Sequence, residues 1–112
     1  MKDKLFVLRP GFADNGVSYF CPYSAQVIGF LTYYPHVRDS VEVVELAFAK
    51  PRKPLVDLVG EDHQAAPMLV FANEPVAVPN VKIGEANSHK FVEKTIEILR
   101  YLAATRSVPA PH

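Results

Sequence analysis

The stretch Cys21-Pro22-Tyr23-Ser24-Ala25-Gln26-Val27-Ile28-Gly29-Phe30-Leu31 decides how the rest of the chain is read. Val27, Ile28, Leu31 and Tyr34 fall on one apolar stripe of a helix predicted from Pro22 to about Tyr34. Pro22 suits the first helical position, where no intrahelical N–H bond is lost, and Pro35 stops the helix. Cys21 is thereby set at the helix mouth, beside unpaired backbone N–H groups and the positive end of the helix dipole, which stabilise a thiolate. Ser24, one turn on, is placed to donate a hydrogen bond to that thiolate or to the sulfur of a mixed disulfide.

On the N-terminal side, Leu5-Phe6-Val7-Leu8 is an unbroken apolar run, the mark of a strand covered on both faces. Residues 9 to 20 read as a polar, glycine-containing loop. On the C-terminal side, Val41 to Leu46 is β-branched and reads as a second strand. Lys50 to Pro54 is a basic, proline-framed connector, expected to be exposed. Leu55 to Val59 is a short helix closed by Gly60. Met68 to Phe71 is a third strand, Val81 to Ile83 a brief edge strand, and Asn87 or Ser88 is expected to cap a last helix with Val92, Ile96, Leu99 and Leu102 as its stripe. The order β-α-β-α-β-β-α predicts an α/β domain with a mixed four-stranded sheet and helices on both faces. The domain spans residues 1–104, and residues 105–112, with Pro109 and Pro111, read as a flexible tail.

Composition narrows the function classes. The chain has 112 residues, enough for one core and no second domain. Twelve basic residues balance twelve acidic ones, so charge gives no reason to expect nucleic acid or an anionic membrane as partner. Near-neutrality also favours self-association, leaving monomer and homodimer both open. The N-terminal apolar run is too short for a signal-peptide core or a membrane span, and the single cysteine forbids an internal disulfide; both point to the cytoplasm. His36, His63, His89 and His112 show no metal-ligand spacing, and no metal site is expected. His63 lies shortly before Pro67, within conceivable reach of Cys21, although such a residue more often decorates a loop. Phe12, Tyr19, Phe20 and Tyr23 set four aromatics around the cysteine turn, divided between core packing and a docking surface.

Cys21-Pro22-Tyr23-Ser24 resembles the active-site turn of glutaredoxins, in the monothiol form where serine replaces the second cysteine, and is similar to the turn in the thioredoxin-like halves of some cysteine-type glutathione transferases. Ala65-Ala66-Pro67, just before the third strand, matches the cis-proline of thioredoxin-like proteins, which faces the catalytic cysteine. The chain also resembles short bacterial thioredoxin-like proteins of unknown function. They share a Leu-x-Pro-Gly-Phe start (here Leu8 to Phe12), a Cys-Pro turn, and a segment matched by Gly60-Glu61-Asp62-His63-Gln64.

The resemblance implies a thioredoxin-like fold over residues 4 to 104. It implies Cys21 as nucleophile, supported by Ser24, with glutathione or a protein thiol as co-substrate and no tightly bound cofactor. Pro22 and Tyr23 would flank the bound thiol, and the backbone of Ala66, before Pro67, would pair with the peptide backbone of glutathione. Asn87 and Ser88, at the expected start of the last helix, would receive its γ-glutamyl carboxylate. The chain departs from glutaredoxins in reading Gly84-Glu85-Ala86-Asn87-Ser88 where they carry a Gly-Gly pair and acidic residues. It also lacks their cation near the cysteine turn, for which Arg9 is the nearest candidate. Two functions follow as expectations: thiol–disulfide exchange through Cys21 alone, or a non-catalytic binding or dimerisation module.

Overall fold

The structure, a computed structural model, describes residues 1–112. Its elements in chain order are β1 (Asp3–Leu8), β2 (Phe12–Asp14), β3 (Val17–Tyr19), α1 (Pro22–Tyr33), α2 (Pro35–Asp39), β4 (Val41–Leu46), α3 (Lys53–Val59), β5 (Met68–Val70), β6 (Gly84–Ala86), β7 (His89–Val92) and α4 (Thr95–Arg106). The architecture is mixed α/β, with a sheet in the order β4-β1-β5-β7-β6. β4 runs parallel to β1, and the remaining pairings are antiparallel.

Alternation along β1 explains why helices cover both faces. Leu5 and Val7 point to one core with Val27 and Leu31 of α1, Val37 of α2, and Ile98 and Leu102 of α4. Phe6 and Leu8 point to the other, closed by Leu55 and Val59 of α3. A strand buried on both sides has no polar face to spare, hence its unbroken apolar run. Full burial of each such side chain stabilises by roughly 1.5–3 kcal/mol.

Several expectations are corrected. The sheet has five strands rather than four, because His89–Val92, expected in the last helix, forms β7, and the edge expected at Val81 to Ile83 falls to β6. Residues 12–19 form a separate hairpin, β2-β3, turned by Asn15 and Gly16, both at positive φ. Pro35 ends α1 and starts α2, where it occupies the first turn. The last helix begins at Thr95, capped by Lys94, so Val92 belongs to a strand and Ile96 is 40% exposed. Its buried stripe is Ile98, Tyr101 and Leu102. Asn87 and Ser88, both at positive φ, make the tight β6-β7 turn and cap no helix. Thr105 and Arg106 belong to α4, where Arg106 pairs with Asp3 at 3.3 Å, and Val108 packs back against the core.

Gly84 lies where β6 crosses the ring of Phe91. A Cβ there would come within 2.8 Å of that ring, which is itself only 2% exposed and cannot swing away. Gly84→Ala is expected to lower stability by about 1–3 kcal/mol, read as a lower urea midpoint at unchanged slope.

Candidate functional site

Sheet polarity fixes what meets Cys21. The registers Phe6↔Met68, Leu5↔Leu69 and Leu69↔Val92 bring the end of β1, the start of β5 and the end of β7 to one end of the sheet. α1 starts at that end, immediately after Cys21, and so does α4, after Glu93 and Lys94. Ala66 and Pro67, joined by a cis peptide bond, lie there too. Asn87 and Ser88 do not: their turn is at the opposite end, where the Asn87 side chain donates to the Leu58 carbonyl at 3.2 Å. The structure thus brings Cys21, Pro22, Tyr23, Ser24, Ala66 and Pro67 together and leaves Asn87 and Ser88 apart.

Cys21 is the N-cap of α1, with extended backbone, and is half-buried. Its Sγ accepts the backbone N–H of Ser24 at 3.4 Å, so one otherwise unpaired helix-mouth donor points at the sulfur. Ser24 differs from expectation. Its side chain is buried, and its Oγ accepts the N–H of Leu8 at 3.0 Å, tying the first turn of α1 to the end of β1. Ser24→Ala would leave that buried N–H unpaired, at about 1–3 kcal/mol. It is expected to lower the urea midpoint accordingly while leaving iodoacetamide alkylation of Cys21 in the folded protein within about twofold, since the N–H that meets the sulfur belongs to the backbone and survives the substitution.

A cation missed in the sequence stands near the sulfur. Arg52, in the connector expected to be exposed, is buried. Its guanidinium donates to the carbonyls of Phe48 (3.1 and 2.8 Å) and Gln64 (2.6 Å), and its own N–H donates to Gln64 Oε1 at 2.8 Å. No carboxylate pairs with it. Burial pulls the Arg52 guanidinium below its usual pKa, and the charge of neighbouring Cys21 pushes it back up. Arg9, the cation expected from sequence, instead pairs at the surface with Glu45 at 3.7 Å. Gln64, twelve residues from Arg52, carries no spacing signal that links the two.

The surrounding aromatics divide in two. Phe12 stacks on Phe48 at 4.3 Å, clamping the β2-β3 hairpin over the second core, while Phe20 and Tyr23 are 60% and 59% exposed beside Cys21. His63 packs on the Phe91 ring and lies 3.7 Å from Glu93. No three His, Cys, Asp or Glu side chains gather as a metal site.

Two cavities adjoin this centre. A shallow one of about 380 Å³ runs between Tyr23 and Gln26 of α1, Ala66 and Pro67, and Lys94 and Thr95 at the start of α4. Neither the N–H nor the C=O of Ala66 bonds to other backbone, and Lys94 caps α4 without a side-chain hydrogen bond, leaving first-turn N–H groups free. The second, about 820 Å³, has Cys21 in its wall and runs between α1 and β4.

A family model described as "Protein of unknown function (DUF3088)" matches residues 2–110. The chain belongs to the DUF3088 family. No curated protein and no solved structure matches it. Family membership agrees with the likeness to proteins of unknown function and assigns no chemistry. No helix is long and apolar enough to cross a membrane.

Arg52→Gln removes the cation but retains a side-chain donor for the Phe48 or Gln64 carbonyl. Alkylation of Cys21 at neutral pH is expected to slow severalfold, with Arg52→Lys recovering part of the rate; equal rates in all three proteins would show that the cation does not act on the sulfur.

Proposed function

We propose that this member of the DUF3088 family is a thioredoxin-like monothiol protein that exchanges thiols and disulfides through Cys21, with glutathione or a related γ-glutamyl thiol as one partner. The observation that carries this reading is the seat of Cys21: a half-exposed sulfur at a helix mouth, accepting a backbone N–H and standing near a buried cation that no carboxylate neutralises. Backbone N–H groups and a fixed cation both lower the energy of a thiolate, the nucleophilic form. The strand order β4-β1-β5-β7, with only β1 and β4 parallel, supports the thioredoxin-like part of the proposal.

The groove beside Ala66 and Pro67 suits the small thiol. The free N–H and C=O of Ala66 match a peptide backbone, and the open first turn of α4 together with Lys94 suits a carboxylate. This moves the anion site from Asn87 and Ser88 to Lys94 and Thr95. Glu93, beside His63, is placed to meet an ammonium group.

In the reaction, the Cys21 thiolate attacks one sulfur of a disulfide, a bond forms between them, and the other sulfur leaves as a thiolate. With no second cysteine in the chain, an external thiol must attack the mixed disulfide to regenerate Cys21. A reducing compartment such as the cytoplasm supplies that thiol.

Incubation with glutathione disulfide, followed by intact-mass measurement, tests the reading. Wild-type protein is expected to gain one glutathione, reversibly with dithiothreitol, and Cys21→Ser none. An unmodified wild-type protein with an alkylatable Cys21 would instead favour a binding module that merely retains the fold.

A further inference from the structure

The larger cavity beside Cys21 has no role in the reaction just described. It is a groove whose floor is apolar, with Leu8, Ile28 and Val43 among its lining residues, and whose rim is charged. β4 forms one side and is the outermost strand of the sheet, paired only with β1. The N–H of Arg9 donates to the carbonyl of Leu46 at 2.9 Å, so Leu46 turns its backbone groups toward β1. Because these groups alternate along a strand, Glu42 and Val44 also face β1, whereas Val43 and Glu45 offer their N–H and C=O groups outward. β4 runs parallel to β1, so the free edge leads toward the end of the sheet where Cys21 stands.

We propose that this groove binds an extended polypeptide segment, added as a strand along the outer edge of β4, and that the segment carries the disulfide sulfur attacked by Cys21. The proposal rests on thiol exchange at Cys21 and names its second substrate class: a protein disulfide or mixed disulfide in an extended stretch. Strand addition supplies affinity through main-chain hydrogen bonds and specificity through alternate side chains. A volume of about 820 Å³ lies toward the upper end of small-ligand pockets and is about twice that of the groove beside Pro67.

Charge selects among occupants. Glu42 is exposed and forms no ion pair, and Glu45 is held only by the surface contact with Arg9. A second copy of this chain paired along β4 would bring no sulfur in the added strand, since Val41 to Leu46 holds no cysteine. The glutamates guard the edge against indiscriminate pairing, and unpaired Glu42 offers a partner to a basic residue of the segment, while Arg9 and Arg38 line the same groove. The exchange balances as before: the Cys21 thiolate bonds to the segment's sulfur, the other sulfur of that disulfide departs as a thiolate, and a small thiol later releases the segment in reduced form.

The test compares three disulfides that share 5-thio-2-nitrobenzoate as leaving group: the peptide Val-Lys-Val-Cys-Val-Lys, the same peptide with alternate backbone nitrogens methylated, and glutathione. Val43→Pro removes one outward N–H from an edge position where proline is tolerated, and Ala25→Trp fills the groove from α1 without touching the strand. Wild-type protein is expected to react faster with the plain peptide than with its methylated form. Each variant should lower the plain-peptide rate by about fivefold to tenfold, as expected for one or two lost hydrogen bonds, while the glutathione rate stays within about twofold. Equal rates with the two peptides, or variants that slow glutathione as much as peptide, would overturn strand addition and leave thiol exchange standing. Reaction with peptide but not glutathione would remove the small-thiol assignment and keep the groove. Reaction with none of the three would remove both.

Discussion

The hydrogen bond from the Leu8 N–H to Ser24 Oγ is the constraint on which the site depends. β1 bonds to β5 only as far as Phe6↔Met68, because the chain before Met68 turns away at Pro67. Two residues further along β1, the Leu8 N–H faces the side where β5 has ended, and Leu8 is buried. A buried N–H without an acceptor is costly, and Ser24 supplies the acceptor from the first turn of α1. The helix mouth is thus fastened to the last residue of the central strand. Cys21, as its N-cap, has its position set by the needs of the sheet rather than by its own packing. The serine that looks like half of a redox pair is, in this geometry, the fastening.

Arg52 braces the same region from the other face. A buried guanidinium must satisfy its donors or destabilise the fold, and it does so on the carbonyls of Phe48 and Gln64 rather than on a carboxylate. Neutral acceptors satisfy hydrogen bonds without cancelling charge. The positive field therefore persists beside Cys21, where a paired arginine would have presented little. The same bonds hold the residues after β4 to the segment that leads into Pro67, and Phe48 in turn stacks on Phe12 of the hairpin preceding the cysteine. One side chain thus ties together three chain segments that meet at the sulfur.

What the sequence made legible follows from local physics. β1, β4 and the helix after Cys21 announce themselves through unbroken or periodic apolar runs, and α3 through its closing glycine. The last helix starts later than the spacing predicts because Val92, Ile96, Leu99 and Leu102 keep helical spacing across a strand-to-helix junction, and tertiary pairing with Leu69 claims Val92 for the sheet. With the helix start at Thr95, Asn87 and Ser88 fall in the β6-β7 turn, away from the site. Asn15-Gly16 does carry a hairpin signal, since an Asn-Gly pair favours the positive φ of a tight turn. Arg52 carries none. Its burial depends on Gln64 and on two carbonyls, and nothing in the spacing of a basic, proline-framed stretch distinguishes an inward arginine from an outward lysine.

Sheet polarity gathers these parts. In a sheet where β1, β4 and β7 all end at one edge of the molecule, the loops that follow them and the helices that start there must converge, whatever their distance in sequence. Cys21 stands within that convergence between two different surroundings. One has unpaired backbone at Ala66 and an open helix start at Thr95; the other is a longer apolar trough beside a free strand edge. The proposed exchange, in which the thiol forms a mixed disulfide with one partner and surrenders it to another, needs two directions of approach, because the displacing sulfur enters opposite the one that leaves. A single cysteine that lines one groove and, through Tyr23, borders the other suits that geometric demand without a second cysteine in the chain.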